Sequence, residues 1–342
     1  MRIKGLDFLR GCAIVLVLFR HGDVENILSR MGWIGVDLFF GLSGFLVSGL
    51  LFKEYLHSKK VDTKRFLIRR GFKIYPLFYI FVLFAIVLNF WETKSFYNIN
   101  EILSEVFYLQ SYLPHVWDQT WSLAVEEHFY LALAFLIPLS IRTNKLEKVN
   151  FMLTVLFSIL LISFLMRLYI SYPHQHDFFS FYATHLRMDG IVVGILCSYL
   201  YYFTDFYSYF LNKKIYFIVL AVLFILPVFI FDGGGFLMNT IGLSTVNIGF
   251  GILVLLALQE TKTDVLVKNQ FFKLPFKIMC FIGIHSYAIY LWHFVAKKIV
   301  GAFDLSGNSS FSLYFILAII MGAVLSYAIE KPFLRYRENF SK

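Results

Sequence analysis

Charged side chains are scarce in this chain: Asp, Glu, Lys and Arg together supply 15% of its 342 residues, against roughly a quarter in a soluble domain. That is too little polar surface to face water on every side. With 59% apolar residues and a mean hydropathy of +0.70, the expected solvent is a lipid bilayer. Cysteine is nearly absent. Cys12, Cys197 and Cys280 each fall inside an apolar run, without the spacing of a disulfide framework or a metal site, so they read as helix-packing residues. The first apolar stretch contains Asp7 and Arg10 and lacks a small-residue cleavage site, which argues against a removable signal peptide and for a retained first span. No internal repeat, low-complexity tract or linker interrupts the chain, so residues 1–342 are expected to form a single membrane domain.

The charge that is present is mostly basic, with a net of +9. It lies in short blocks between apolar runs, as cytoplasmic loops carry it, and this excludes nucleic acid as the natural partner. A span needs about 20 mostly apolar residues. On that rule helices are expected near 6–22, 33–52, 72–91, 121–140, 151–170, 188–204, 215–231, 238–259, 278–300 and 311–329. The expected fold class is therefore all-α, a polytopic integral membrane protein of about ten transmembrane helices. The basic blocks fall at Arg2 and Lys4, at 53–73, at 142–148, at Lys213 and Lys214, at 262–277, and from Lys331 to the end. Segments on the other side hold only Arg30, Lys94 and Arg187, with Lys297 and Lys298 near a helix end. Both termini are accordingly expected in the cytoplasm. The outer connection 92–120 carries an aromatic stretch broken by Asn98, Asn100, Glu101 and Glu105, which suits a short amphipathic helix lying along the interface.

Ionisable groups inside the hydrocarbon cost roughly 2.5–3.5 kcal/mol each on insertion scales, so several at one depth call for an explanation. Arg10 sits low on the first helix and His21 at its outer end, about 16 Å apart at the α-helical rise. Asp37, one turn into the second helix, reaches roughly the depth of His21, and a His–Asp pair is geometrically possible. Glu126 and Glu127 follow Trp121 on the fourth helix, His185, Arg187 and Asp189 open the sixth, and His293 ends the ninth. Each group alone could be interhelical hydrogen-bond glue. Their convergence on one outer layer favours chemistry, in which an imidazole oriented by a carboxylate takes a proton from a hydroxyl or briefly carries an acyl group. The small residues Gly41, Ser43 and Gly44 fit close helix packing and a narrow ligand path equally well. Arg65, Arg69, Arg70 and Lys73 form either a positive-inside anchor or a phosphate site. His174 with His176, and His285 with His293, match no zinc spacing, so no metal is expected. Gly233, Gly234 and Gly235 read as a tight turn, since no strand precedes them and no Lys-Ser/Thr follows.

In order along the chain stand LDFLRGCAIVLVLFRH, which sets ten residues between Arg10 and His21, then GVDLFFGLSGFL, RFLIRRGFKIYPLFY, TWSLAVEEHFYL, HLRMDGIVVG and IHSYAIYLWH. These elements resemble the membrane acyltransferase family 3 across nearly the whole chain. The resemblance implies a ten-helix O-acyltransferase, in most cases an O-acetyltransferase, that takes an acyl group from a coenzyme A thioester on the cytoplasmic side. The acceptor is a hydroxyl of a glycan or glycolipid on the other side. Acetyl-CoA would be a cosubstrate, and the setting a bacterial inner membrane. By resemblance His21 is the catalytic histidine and Asp37 its acidic partner. Arg10, Arg69 and Arg70 meet the donor, the paired acids fall on Glu126 and Glu127, and the later arginine on Arg187. Arg65, Lys73 and Ser43 are expected on the donor path, and Trp121, Arg187 and His293 on the acceptor side. Lys73 stands where the family more often has Arg, giving up a bidentate fork for phosphate, and His128 stands where Gln is common. Some relatives carry an added soluble esterase-like domain, and none is expected in this chain. The rival class is a transporter or flippase, which would need paired broken helices and an internal repeat.

Overall fold

The computed structural model describes residues 3–171, 182–259, 270–303 and 305–340, and every regular element among them is helical. His174, His176, Lys262 and Lys268 lie outside the described residues. In chain order the helices are α1 Lys4–His21, α2 Ile27–Met31, α3 Ile34–Ser58, α4 Thr63–Thr93, α5 Ile99–Val106, α6 Trp121–Arg142, α7 Val149–Ser171 and α8 Thr184–Arg187. They continue with α9 Asp189–Phe203, α10 Phe206–Asn212, α11 Lys214–Ile225, α12 Pro227–Ile230, α13 Leu243–Ala257, α14 Gln270–Ile284, α15 Ser286–Gly301, α16 Gly307–Leu325 and α17 Lys331–Arg337. Single π-helical turns at Met238–Gly242 and Ser326–Glu330 precede α13 and α17.

Among the described residues, six helices are long and apolar enough to cross a membrane, or up to eight when each of two sharply bent pairs counts as one span. The bent pairs are α9 with α10, turned by 98°, and α14 with α15, turned by 80°. All ten segments expected to span are helical. The two outside the eight are α1, which carries Lys4, Asp7, Arg10 and Arg20, and the shorter apolar stretch Lys214–Ile230. Large apolar side chains point away from the protein, among them Leu83 at 63%, Phe135 at 68% and Val222 at 62% exposure. A water-facing surface does not present them in such number, whereas lipid tails are as apolar as they are.

The packing is built around α1 and α3. Helix α9 lies along α3, α14 crosses α1, α13 wedges among α1, α3, α9 and α11, and α15 packs on α16 and α1. Absent side chains permit two of these crossings. A Cβ on Gly44 would run into the carbonyl of Ile191 and one on Gly194 into that of Gly41, while Gly11 and Gly283 seat α1 against α14. Between helices in lipid there is no hydrophobic driving force, so such close approach supplies the dispersion contact that holds them.

The connection after α4 holds the expected short helix as α5. Asn98 caps it, its side chain taking the Asn100 amide at 2.9 Å, and Glu101 reaches back to the Asn98 amide at 2.8 Å. Ile99, Leu103 and Phe107 are exposed there. Glu105 is buried and gathers the following loop, accepting from the Val116 amide at 3.0 Å and from Thr120 Oγ1 at 2.7 Å. Residues 233–235 form the expected turn, with Gly234 in the left-handed region at φ 94°.

Candidate functional site

Polar side chains gather in three groups, the first and third at the Arg10 and His21 ends of α1. At the Arg10 end, a cavity of about 120 Å³ is lined by Arg10, Arg70 and Lys73, by Ser43, Glu126 and Tyr130, and by aromatic walls that include Phe39, Phe40 and Tyr290. Glu126 accepts from Ser43 Oγ at 2.8 Å and from the Tyr130 hydroxyl at 2.6 Å, and the Arg70 guanidinium lies 5.3 Å over the Tyr130 ring. Three cations thus surround a carboxylate already committed to two hydroxyls. Lys73 also meets the buried Glu330, whose other oxygen takes Ser326 Oγ at 3.0 Å. The π turn Ser326–Glu330 swings this carboxylate inward, a use of π geometry that recurs at functional sites. Gly283, Ile284 and Ser286, at the break between α14 and α15, complete the wall. Irregular backbone at membrane depth is tolerated where it borders a cavity.

In the second group, Arg187 Nη2 donates to both oxygens of the buried Asp37, at 2.8 and 3.0 Å. Its guanidinium also lies 5.3 Å over the ring of Trp121, which stacks on Tyr182 at 4.7 Å. Asp37 sits in the first turn of α3, where the helix dipole favours an anion. The pairing of Asp37 with His21 that the resemblance implies gives way here to one with Arg187. The carboxylate turns to a guanidinium that presents hydrogen-bond donors in a planar fork.

In the third group, the His21 ring at the end of α1 stands 5.1 Å from His293 and 4.6 Å from Phe294, centroid to centroid. His293 is fully buried, with Nδ1 2.6 Å from the Tyr290 carbonyl and Nε2 without a hydrogen-bond partner. Tyr290 joins this group to the cavity. Its hydroxyl lies 2.6 Å from Ser122 Oγ and donates to the Gln119 carbonyl at 2.8 Å, while its ring closes the cavity wall.

The expected residues divide accordingly. Arg10, Arg70, Lys73, Ser43 and Glu126 meet at one cavity; Asp37, Arg187 and Trp121 meet in one cluster; His21 meets His293. Glu127, one residue on from Glu126 and so on another face of α6, accepts from Tyr75 at 3.1 Å instead. Arg65 pairs with Glu54 at 2.7 Å, and neither it nor Arg69 lines the cavity. Of the small residues on α3, Gly44 serves packing and Ser43 faces the cavity, whereas a side chain at Gly41 would meet no close neighbour.

Sequence reasoning overlooked Arg167. It is fully buried within α7, 2.7 Å from Asp189, and donates to the Leu186 carbonyl at 2.8 Å and Ser244 Oγ at 2.6 Å. This network braces the segment that carries Arg187. A lone arginine inside the apolar run 151–170 was signal enough, because such a charge faces the bundle interior almost without exception. Glu330 was likewise visible as an acid in a basic terminal block, whereas nothing in the sequence marks Tyr130 or Tyr290. Among the described residues, no group of three or more His, Cys, Asp or Glu side chains is arranged to hold a metal ion.

A family model described as an acyltransferase domain matches residues 3–331. Among curated proteins, the chain is 28% identical over 372 aligned positions to "Putative O-acetyltransferase SACOL0978" of Staphylococcus aureus (strain COL), covering 97% of this chain and 57% of that protein. It is 25% identical over 363 positions to "O-acetyltransferase OatA" of Staphylococcus aureus (strain NCTC 8325 / PS 47), covering 96% and 57%. The chain therefore spans a little over half the length of these relatives. No solved structure matches it at a significant level.

Proposed function

The chain belongs to the acyltransferase family whose model spans it from residue 3 to residue 331, and from that premise we propose that it is a multi-pass membrane O-acetyltransferase. In this reading it takes an acetyl group from acetyl-CoA on the cytoplasmic face and passes it to a hydroxyl of a glycan or glycolipid beyond the membrane. The names of its relatives support the acetyl group and the oxygen acceptor. We read residues 1–342 as one domain of about ten membrane spans with both ends on the cytoplasmic side, in a bacterial inner membrane, working without a metal.

The observation that carries the reading is the cavity shared by Arg10, Arg70 and Lys73, which is separated from the His21–His293 pair by Tyr290. Cations suited to the phosphates of coenzyme A stand at one end, and an imidazole suited to proton transfer stands beyond the other.

His21 removes the proton of the acceptor hydroxyl as its oxygen attacks the thioester carbonyl. The tetrahedral intermediate collapses with loss of the coenzyme A thiolate, and His21 returns the proton to that sulfur. Arg187, fixed by Asp37 and Trp121, faces the acceptor with His293 behind it, while Glu126 balances the charge of Arg10 and Arg70. Glu127, held by Tyr75, belongs to the same acidic pair.

The rival reading, a flippase or transporter for a glycan precursor or acyl donor, draws support from the two bent helix pairs. Membranes containing the wild type, His21→Ala or neither separate the two. Label from acetyl-CoA should enter envelope glycans with the wild type alone. Equal labelling by wild type and His21→Ala sinks the mechanism, and movement of an unacylated precursor into vesicles without transfer favours the transporter.

A further inference from the structure

Asp37 is committed to Arg187 on both of its oxygens, so the imidazole of His21 needs another group to orient it. Taking the reaction proposed above as given, we infer that His293 is that group: a positioning residue whose Nε2 accepts a hydrogen bond from the N–H of His21.

The tautomer of His293 follows from its surroundings. The Tyr290 carbonyl, 2.6 Å from Nδ1, can only accept, so Nδ1 carries the hydrogen. In the neutral ring Nε2 is then a lone pair, and it is buried without a partner. An unsatisfied buried acceptor costs on the order of 1–3 kcal/mol, and such atoms in native proteins tend to have a use. The aromatic rings around it are those of His21 at 5.1 Å, Phe294 at 4.4 Å and Tyr290 at 5.8 Å. Phe294 offers no donor, and the Tyr290 hydroxyl is spent on Ser122 and Gln119. Lys297, one turn further along α15, is held by Asp23 at 3.0 Å, which leaves His21 as the ring beside Nε2 that can donate. A small rotation of its side chain turns an N–H toward Nε2 and leaves its other nitrogen as the lone pair that takes the acceptor's proton.

When that proton is taken, His21 becomes an imidazolium with two N–H groups, one on His293 Nε2 and one facing the departing sulfur. The second returns to the thiolate. His293 neither gains nor loses a proton and touches no substrate. Its donor bond to Tyr290 also ties the orientation of His21 to the residue that closes the cavity, so the base is set by the same turn of α15 that walls the donor.

The test compares His293→Asn with His293→Gln in native membranes. Asn keeps an N–H at the Nδ1 position for the Tyr290 carbonyl and removes the Nε2 acceptor. Gln extends an amide oxygen toward the Nε2 position. His293→Asn should insert normally, hold KM for acetyl-CoA and for the acceptor, and lose kcat on the order of 10²-fold, the lower end of what general-base catalysis contributes. His293→Gln should recover at least tenfold of that loss. An unchanged kcat in His293→Asn, or a loss confined to the acceptor KM, overturns the inference. A second readout does not depend on the reaction. Nitrogen-15 signals of labelled His21 should move between wild type and His293→Asn, and their constancy overturns the inference even if the protein proves to transfer no acetyl group.

Discussion

Arg187 holds both oxygens of Asp37 from a single nitrogen, at 2.8 and 3.0 Å, and joins the first turn of α3 to the end of α8. Removing one partner of a buried ion pair leaves an uncompensated charge, at a cost of about 3–5 kcal/mol, whereas a neutral hydrogen bond between membrane helices averages about 0.6 kcal/mol. Asp37→Asn and Arg187→Met should therefore each lower thermal stability in detergent, and the double variant should lose much less than their sum. Additivity within about 0.5 kcal/mol would mean the pair carries no coupling.

The cavity separates basic residues that look equivalent in sequence. Arg70→Ala and Lys73→Ala each remove a donor from the wall, and a hydrogen bond to a charged group is worth roughly 1.5–3 kcal/mol. Each should raise KM for acetyl-CoA by about tenfold or more with kcat less affected. Arg65→Ala should leave that KM within about twofold, because Arg65 is held by Glu54 away from the cavity. Steady-state kinetics at fixed salt decide it.

Helix packing gives a steric prediction. Gly44→Ala places a methyl against the Ile191 backbone, which cannot give way as a side-chain tip can, and overpacking of this kind costs typically 1–3 kcal/mol. Gly301→Ala, whose added carbon meets nothing, should leave the melting temperature unchanged. A similar loss in both variants would remove the close approach of α3 and α9 as the cause.

Burial pushes the Glu105 carboxyl up to about 7 from its ordinary 4.5, against the lowering influence of its bonds from Thr120 and Val116. The folded state thus binds the proton more tightly than the unfolded chain. Between pH 4.5 and 7 the native form holds more protons, so stability falls as pH rises through that window and levels off above it. The whole effect is at most about 3 kcal/mol. Glu105→Gln should flatten this stretch of the stability–pH curve, and an unchanged slope would assign it to another group.

Much of the architecture is readable along the chain. The apolar runs and their basic flanks mark helical segments at every place where a span was expected, because hydrocarbon imposes a length and an internal hydrogen-bond requirement that local sequence must meet by itself. Depth is readable too. Counting residues along α1 and α15 puts His21 and His293 in one outer layer, and counting along α3 brings Asp37 to the depth of His21.

What a one-dimensional count does not carry is azimuth. Asp37 and His21 share a depth, yet Asp37 faces α8 and takes Arg187, while His21 faces α15 and meets His293. Glu126 and Glu127 are neighbours in the chain and part company around the turn of α6, one into the cavity and one onto Tyr75. The bend at residue 285 is equally silent locally, since the apolar run 278–300 reads as one straight helix. The sequence by itself determined a multi-pass helical chain of the acyltransferase family and a list of candidate residues for its chemistry. Only the tertiary structure decided which of them touch, because a side chain's direction on a helix becomes a contact only once the neighbouring helix has been placed.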